Sequence, residues 1–248
     1  MPAVLPPPRT GPGSRLLDWE HLVRTEDGEH LHALLWRAGP GWRMVASAVL
    51  GGGIAERAWV LNAQVAHGYR RTDPAGHLAA LAVAAGAAGP GVGLMTAAEV
   101  ADPGYARDGE AEAVATAGVS VRGWAASPAE GTRGTAAPGT INIVAAVPVP
   151  LGDAALVNAV MTATEAKVQA LLDAGYDCSG TPTDAVCVAA RAPRAGAPAH
   201  AFAGPRSEWG ARLARAVHRA VLSALPGEPG PPPAGEGHRA HPAPPTLA

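Results

Sequence analysis

The chain has 248 residues, of which 48% are hydrophobic and 4% aromatic, and its formal net charge is −2. This length suits one large domain or two small ones with a sizeable core. A charge so close to neutral argues against a nucleic-acid partner or an anionic membrane partner, because both require a clustered basic surface.

Proline and glycine concentrate at the two ends of the chain. Residues 1–14 are predicted to form a disordered lead and residues 226–248 a disordered Pro-rich tail, because both segments are poor in the apolar side chains of a core. The tail's His238 and His241 are interpreted as incidental and not as a metal site. A single folded domain is therefore predicted at residues 15–225.

Seven short apolar runs between these ends predict β-strands. The runs lie at residues 30–36, 43–50, 58–65, 91–98, 113–121, 140–147 and 185–190. Helices are predicted from Asp73–Pro74 to about residue 85, from Asp153 as an N-cap to about residue 174, and over residues 207–225. Gly175 provides the stop of the second helix. Strands outnumber helices, which favours an α+β or mixed α/β layered domain over a doubly wound parallel sheet.

Two early motifs place small residues beside strands. Ser47 precedes a glycine triplet, Gly51-Gly52-Gly53, and Asn62 follows nine residues after the triplet. The triplet either brings backbone N–H groups close to a ligand or forms a tight turn between strands. Thr96 lies among small residues in GVGLMTAA, so it is either a nucleophile that a substrate can approach or an ordinary strand residue.

The helix predicted from residue 153 carries the most informative pattern. On a helical wheel of 100° per residue, its large apolar residues fall on one arc, and four polar residues form a separate stripe. That stripe is either the solvent-exposed face of the helix or the wall of a pocket. The arc contains Leu156, Val157, Val160, Met161, Val168, Leu171 and Leu172, and the stripe contains Asn158, Thr162, Glu165 and Gln169. Thr164 and Lys167 fall inside the apolar arc. A lysine there either snorkels to water or finds a buried partner, which makes Lys167 a candidate site residue.

Polar residues also flank the last two predicted strands. Asn142 interrupts the apolar run at 140–147, and Asp184 directly precedes the strand at 185–190. With Thr181 and Thr183 beside it, Asp184 either orients a base and binds a polar substrate arm, or closes a turn with its own side chain. Both interpretations remain open from the residues alone.

The sequence gives little evidence of a metal site and only indirect evidence of the cellular compartment. His30 and His32 alternate on one strand face and would supply two metal ligands, but contacts other than a metal are favoured, and no metal site is predicted. Cys178 and Cys187 cannot build a disulfide framework and lie outside any C-x-x-C pair. The first residues lack a signal-peptide pattern, and no apolar run approaches the roughly 20 residues of a membrane helix. A soluble cytoplasmic protein is predicted.

The order and spacing of the motifs resemble those of the adenosylcobinamide amidohydrolase family. The matching segments are SAVLGGG, LNAQVAHGY, VGLMTAA, GTINIVAAV, NAVMTATEAKVQALLDAG, GTPTDAVCVA and AFAGPRSEWGARLARAVHRAV. The resemblance implies a hydrolase of corrinoid salvage for cobalamin biosynthesis. It would cleave the aminopropanol amide of adenosylcobinamide and release adenosylcobyric acid. It implies no cofactor, because cobalt enters only as part of the corrinoid substrate.

The mechanism stays open at this point. Either a hydroxyl of Thr96 or Ser47 attacks the amide, or Asp184 or Glu165 activates a water molecule. Lys167 would then activate the nucleophile or bind a substrate carbonyl. Asn62, Asn142 or glycine N–H groups would hold the oxyanion. The expected substrate-binding residues are Ser47, Gly51, Gly52, Gly53, Asn62, Asn142, Thr164, Thr181 and Thr183.

Other activities and folds were weighed beside this interpretation. A non-catalytic corrinoid-binding or carrier protein would use the same pocket, and an amidase or aminopeptidase would act on another amide. A homo-oligomer is compatible with the sequence. The order strand, helix, Gly-Thr/Ser-Asp turn and strand is similar to that of the DmpA/ornithine acetyltransferase type of self-processing amidohydrolase, which implies a layered sheet-on-sheet domain flanked by helices.

Overall fold

The computed structural model describes residues 15–127, 139–193, 196 and 198–227. Its strands are β1 (Trp19–Glu26), β2 (Glu29–Trp36), β3 (Trp42–Ala46), β4 (Gly53–Glu56), β5 (Trp59–Gln64), β6 (Gly91–Thr96), β7 (Gly104–Asp108), β8 (Ala111–Ala117), β9 (Ile141–Pro150) and β10 (Ala185–Arg191). Its helices are α1 (Pro74–Ala84), α2 (Asp153–Asp173) and α3 (Glu208–Ala224). None of the described helices is long and apolar enough to span a membrane.

The ends of the chain lie largely outside the described residues. This applies to the predicted lead at residues 1–14 and to all of the predicted tail beyond residue 227, which includes His238 and His241. The carbonyl groups of Pro226 and Gly227 accept hydrogen bonds from the Tyr176 hydroxyl at 3.0 and 3.2 Å. The proposed domain boundaries stay a prediction.

The strands form two mixed sheets. The four-stranded sheet has the order β1-β2-β5-β6, and the six-stranded sheet has the order β4-β3-β10-β9-β8-β7. Among the described strands, β5 pairs with β6 and β9 pairs with β10 in parallel, and the other pairs are antiparallel. A parallel pair requires a crossover connection. The crossover contains α1 in the four-stranded sheet and α2 in the six-stranded sheet.

Alternating side chains of β9 show how the layers are stacked. Ile143 and Val147 are buried in a cluster with side chains of α2 and α3. Val144 and Ala146 are buried in a cluster with Leu34 of the four-stranded sheet. Because successive strand residues point to opposite faces, the six-stranded sheet lies between those helices and the four-stranded sheet. With α1 packed on the outer face of the four-stranded sheet, this confirms the predicted α+β sandwich of mixed sheets flanked by helices.

The predicted strands are present, but their bounds differ where the backbone turns. The strand predicted at 43–50 ends at Ala46, and the strand predicted at 113–121 lies at Ala111–Ala117, before Gly118. The sequence did not predict β1, β4 and β7. In β1 the half-buried and exposed positions alternate irregularly along a run rich in charged residues. Such an edge strand lacks the apolar alternation by which strands are found in a sequence.

The start of α2 contradicts the expected N-cap. The N-cap is Gly152, which offers no side chain, and Asp153 is the first helical residue. The Asp153 carboxylate pairs with Arg43 at 2.7 Å instead, although it still lies in the first turn, where the helix dipole favours negative charge. By contrast, Asp73 does cap α1, and Gly175 does follow α2 with a φ of 82°.

The buried face of α2 overlaps the predicted apolar arc only in part, since Leu156 and Leu171 of that arc are buried. Val157, Met161 and Leu172 are exposed to 50, 55 and 47%. The packed positions belong mainly to alanines, namely Ala155, Ala159, Ala163, Ala166 and Ala170. Small side chains let α2 approach α3 and the six-stranded sheet closely. A wheel weighted by large apolar residues therefore predicted only part of the buried face.

Replacing Ala163 with leucine tests this close packing. Ala163 is fully buried in the cluster between the helices and the six-stranded sheet, so the added carbon atoms have no space. We expect the free energy of unfolding to fall by about 1–3 kcal/mol in urea denaturation followed by circular dichroism. The control Met161→Ala removes an exposed side chain and should change it by less than about 0.5 kcal/mol. An unchanged stability of Ala163→Leu would contradict the packing.

Candidate active site

The polar residues from several motifs meet at one end of the sandwich. Strands β5 and β6 finish there, and β9 and β10 begin there. The strand register places Asn142 opposite both Thr116 and Ala185, the residue after Asp184. Asn142 also reaches Asn62 on the other sheet. This region, called the polar end below, comprises Asn62, Thr96, Thr116, Thr140, Asn142, Lys167, Thr181, Thr183 and Asp184.

A buried ion pair joins α2 to the turn before β10. Lys167 Nζ lies 2.5 Å from Asp184 Oδ2, and the two side chains are only 8 and 11% exposed. The Asp184 carboxylate also accepts hydrogen bonds from the Thr181 N–H at 3.1 Å, the Thr181 hydroxyl at 2.5 Å and the Ile141 N–H at 2.9 Å. The pair therefore satisfies the buried charge and ties together α2, the turn and the start of β9. Lys167 has a buried partner and does not snorkel.

Gly180 makes room for this ion pair. A Cβ at that position would lie 2.2 Å from Asp184 Oδ2 and 2.5 Å from Lys167 Nζ, and the φ of 149° is one that other residues rarely adopt. The glycine of the GTPTDA motif is thus needed both for its conformation and for the space it leaves.

Beside the ion pair, a chain of hydrogen bonds runs from the Thr140 hydroxyl through the Thr183 hydroxyl to the Gly139 carbonyl. Thr140 Oγ1 lies 2.5 Å from Thr183 Oγ1, and the Thr183 hydroxyl donates to the Gly139 carbonyl at 3.0 Å. Because a hydroxyl has one hydrogen, the Thr140 hydroxyl must be the donor to Thr183. Thr140 is 5% exposed. The sequence prediction missed Thr140, although its place at the junction of a glycine and an apolar strand was visible.

An amide cluster lies between the two sheets, also at the polar end. Asn142 Nδ2 donates to Asn62 Oδ1 at 2.8 Å and to the Met95 carbonyl at 3.1 Å. Asn62 Nδ2 donates to Thr116 Oγ1 at 3.0 Å. Both hydrogens of the Asn142 amide are thereby used, and its buried Oδ1 has no hydrogen-bond partner among the described residues. This oxygen is an acceptor in need of a donor.

The two hydroxyls that the sequence suggested as nucleophiles accept hydrogen bonds from backbone N–H groups. Thr96 is 2% exposed, and its Oγ1 accepts the Ala98 N–H at 2.9 Å. Ser47 Oγ accepts the Val186 N–H at 3.0 Å. These contacts assign each hydroxyl a structural role at the end of a strand.

The glycine triplet forms the turn between β3 and β4. A Cβ on Gly51 would lie 1.9 Å from the Gly91 carbonyl oxygen, so the triplet allows a close approach to β6. Gly51 and Gly53 have φ values of 71° and 83°, and Gly52 and Gly53 are exposed. The triplet thus matches the turn interpretation of the sequence.

Two of the predicted site residues lie away from the polar groups. Thr164 and Glu165 are exposed on α2, and the Thr164 hydroxyl donates to the Val160 carbonyl at 2.9 Å. Two members of the predicted polar stripe contact a neighbouring segment: Thr162 donates to the Ala203 carbonyl, and Asn158 accepts the Ala203 N–H. Gln169, the remaining member, is exposed. The structure thus brings Lys167 and Asp184 together but separates Glu165 from them.

An open groove lies beside Gly118, the residue that follows β8. It has a volume of about 580 Å³ and is lined by Gly118, Val119, Ser120, Arg122, Tyr176, Pro226 and Gly227. Gly118 connects the groove to the hydrogen-bonded chain, because its N–H donates to the Thr140 carbonyl at 3.0 Å.

A second polar cluster lies at the edge of the four-stranded sheet. The Tyr69 hydroxyl lies 3.1 Å from His77 Nδ1, and His77 Nε2 lies 3.2 Å from Glu26 Oε1. Burial is the largest effect on both groups: it lowers the pKa of His77, opposed by the charge of Glu26, and raises the pKa of Tyr69, opposed by the charge of Arg71. A neutral His77 therefore accepts from Tyr69 and donates to Glu26. The sequence gave no signal for this cluster, because its members come from distant segments.

The described residues hold no group of three or more His, Cys, Asp or Glu side chains suited to a metal ion. His30 Nδ1 lies 3.3 Å from Thr25 Oγ1, and the backbone of His32 donates to Gln64. Cys178 and Cys187 are free and buried. Burial raises the pKa of the Cys187 thiol to about 12, so this thiol is not a thiolate nucleophile near neutral pH.

Comparison with known proteins identifies relatives over most of the chain. The family model for adenosylcobinamide amidohydrolase matches residues 18–230. The adenosylcobinamide amidohydrolase of Methanosarcina mazei is 32% identical over 185 residues, which cover 72% of this chain and 88% of that protein. The adenosylcobinamide amidohydrolase of Halobacterium salinarum is 41% identical over 127 residues, which cover 48% of this chain and 52% of that protein.

Replacing Lys167 with methionine tests the buried ion pair. The substitution leaves the Asp184 carboxylate buried without its cation, so the free energy of unfolding should fall by about 3–5 kcal/mol in urea denaturation. Adding Asp184→Asn should restore part of this loss. The control Arg43→Met breaks the more exposed pair with Asp153 and should cost about 1 kcal/mol or less. If Lys167→Met costs no more than the control, the pair does not form in solution.

Proposed function

This chain belongs to the adenosylcobinamide amidohydrolase family, and we propose that it hydrolyses adenosylcobinamide through the Thr140 hydroxyl at the polar end. The enzyme acts in corrinoid salvage for cobalamin biosynthesis. It cleaves the amide that joins aminopropanol to a propionyl side chain of the corrin ring, which releases adenosylcobyric acid.

The chemistry of the polar end suits this substrate. A corrinoid is large, amphipathic and rich in neutral amides, so its site needs amide and hydroxyl partners more than dense charge. Asn62, Asn142, Thr140 and Thr183 supply such partners, and the nearby charges of Lys167 and Asp184 neutralise each other. The groove of about 580 Å³ beside Gly118 offers space for the part of the substrate that carries the scissile amide.

One observation supports Thr140 as the nucleophile. Its hydroxyl donates a 2.5 Å hydrogen bond to the Thr183 hydroxyl, which in turn donates a hydrogen bond to the Gly139 carbonyl. Thr140 Oγ attacks the amide carbonyl carbon of the substrate while its proton passes to Thr183. The carbon–nitrogen bond then breaks, and the departing nitrogen takes up the proton that Thr183 passes on, so that aminopropanol leaves as a neutral amine. Water hydrolyses the resulting Thr140 ester and regenerates the hydroxyl.

The ion pair and the amide cluster act on this step in different ways. Asp184 follows Thr183 directly and fixes the turn through Lys167 and Thr181, so it is a positioning residue for the Thr183 hydroxyl. Asn142 uses both of its N–H groups to hold Asn62 and the Met95 carbonyl, so it is a positioning residue for the Asn62 amide. Asn62 donates one of its two amide hydrogens to Thr116, which leaves the other for an oxyanion.

No cofactor enters this mechanism, because the cobalt belongs to the substrate and the steps require only the hydroxyls, the amides and water. We place the reaction in the cytoplasm. The free thiols of Cys178 and Cys187 support that placement, since reduced cysteines are typical of a reducing compartment.

Incubation of the purified protein with adenosylcobinamide tests the proposal. Mass spectrometry should detect adenosylcobyric acid and free aminopropanol in equal amounts. Thr140→Ala should lower kcat by at least about 100-fold, as expected for the loss of a nucleophile or its stabilising partner. The control Thr72→Ala changes an exposed threonine and should keep the wild-type rate.

The other outcomes separate the alternatives. Tight binding of adenosylcobinamide without turnover would support a carrier protein, and turnover of a different amide alone would support another amidase. Full activity of Thr140→Ala with a large loss in Glu165→Gln would replace hydroxyl attack with water activated by Glu165. The matched control for that variant is Glu110→Gln, an exposed change in the turn between β7 and β8.

A further inference from the structure

We propose that the corrin ring of the substrate lies on an exposed face of β1 and β2, and that His30 binds its cobalt. This surface, called the histidine face below, consists of His21, Val23, Thr25, His30 and His32. The inference rests on the proposed function in one respect, namely that the substrate is a corrinoid. It goes beyond that function because it assigns a binding surface to the ring and a protein ligand to the cobalt.

The strand register places these five side chains on one face of the four-stranded sheet. Val23 pairs with His32, and His21 pairs with Leu34. Paired residues point to the same face, and the face alternates along each strand. Leu34 is buried in the cluster between the two sheets. The histidine face is therefore a continuation of the inner face of the sheet, which faces the six-stranded sheet.

This inner face emerges from beneath the six-stranded sheet toward the turn between β1 and β2. Along β2, Trp36 and Leu34 are buried, whereas His32 is half-buried and His30 is exposed. On β1, the Val23 side chain is 63% exposed. The uncovered part is thus a strand surface with an apolar side chain among imidazole groups, and a broad, amphipathic ring can lie on it.

The histidine face adjoins the polar end. His32 donates its backbone N–H to the side chain of Gln64, the last residue of β5, at 2.9 Å. Two residues before Gln64, about 7 Å along the strand, Asn62 binds Asn142 on the other sheet. Thr140 lies two residues before Asn142. A ring on the histidine face therefore lies at the same end of the sandwich as the proposed nucleophile.

His30 is placed to supply a nitrogen to the metal. Its Nδ1 lies 3.3 Å from Thr25 Oγ1, and among the residues that the structure describes its Nε2 has no hydrogen-bond partner. Metal-binding histidines commonly engage one ring nitrogen in a hydrogen bond, which fixes the tautomer and leaves the other nitrogen for the metal. When Nε2 binds cobalt, Nδ1 carries the ring hydrogen and donates it to Thr25.

Cobinamide leaves one position on cobalt for such a ligand. The corrin ring supplies four nitrogens and the adenosyl group binds on the upper face, but cobinamide has no nucleotide base of its own for the lower face. Imidazole is the commonest metal ligand of proteins, and a single residue completes the coordination. The side chain that carries aminopropanol projects from the same lower face. Coordination by His30 therefore turns the scissile amide toward the protein and leaves the adenosyl group on the outer side.

Electron paramagnetic resonance tests the coordination directly. The probe is cob(II)inamide, the reduced and adenosyl-free form of the substrate, bound to Thr140→Ala so that it is not hydrolysed. A nitrogen on the lower face should split each cobalt line into a triplet, and labelling the histidines of the protein with the heavy nitrogen isotope should change the triplets to doublets. Adding His30→Ala should remove the splitting. The control His200→Ala changes an exposed histidine beside the other end of β9 and should keep it.

The kinetics of adenosylcobinamide hydrolysis give a second measurement. With Thr140 intact, His30→Ala should raise KM at least about tenfold, because the loss of a group that merely supports a metal ligand already costs about 10–100-fold in affinity. The kcat should stay within about twofold, since the ring is bound alike in the ground state and the transition state. Circular dichroism should show that all variants are folded.

The outcomes separate this proposal from the proposed function. Hydrolysis of adenosylcobinamide by the wild type, with no nitrogen splitting in the bound probe, would overturn the histidine ligand and leave the function standing. Splitting that depends on His30, without any hydrolysis by the wild type, would support the ligand and overturn the function. Splitting that persists in folded His30→Ala but disappears in His32→Ala would overturn the assignment to His30. A protein that binds no cobinamide would overturn both proposals.

Discussion

The buried ion pair between Lys167 and Asp184 is the interaction on which the polar end depends. Two charges removed from water are costly unless each is matched, and here the carboxylate is matched by an ammonium, two N–H groups and a hydroxyl. Those donors come from α2, from the turn before β10 and from the start of β9. The pair thereby fixes the position of Thr183, and through Thr183 it orients the Thr140 hydroxyl.

Strand β9 connects the polar end to the rest of the fold. The N–H of Ile141 binds the Asp184 carboxylate, while Asn142 points into the space between the sheets and binds Asn62. The alternation of side chains along one strand therefore places hydroxyl chemistry and amide chemistry within three residues, 140–142. In the six-stranded sheet β9 lies between β10 and β8, so both of its edges are paired.

The structural features that depend on the local sequence pattern were predicted well. Asp73 and Pro74 predicted the start of α1, the apolar runs predicted most strands, and Lys167 stood out because a charge in an apolar arc requires a partner. The partner itself, Asp184, was among the residues singled out, but their contact was not foreseeable, since it depends on how α2 packs on the six-stranded sheet. The same limit explains the missed Thr140: nothing local distinguishes a threonine that meets Thr183 from an ordinary strand residue. The alanine face of α2 was missed because small side chains give a weak apolar signal and yet decide how close two helices can lie.

The central claim, that Thr140 carries the acyl group during hydrolysis, can be tested by trapping the intermediate. The wild-type enzyme would be mixed with adenosylcobinamide, quenched in acid within the first turnovers, digested and analysed by mass spectrometry. The account predicts that the peptide containing Thr140 carries the corrinoid acyl group in an ester, in an amount matched by released aminopropanol. A Thr140 peptide that stays unmodified while hydrolysis proceeds at its normal rate, under conditions that preserve a control ester, would contradict it.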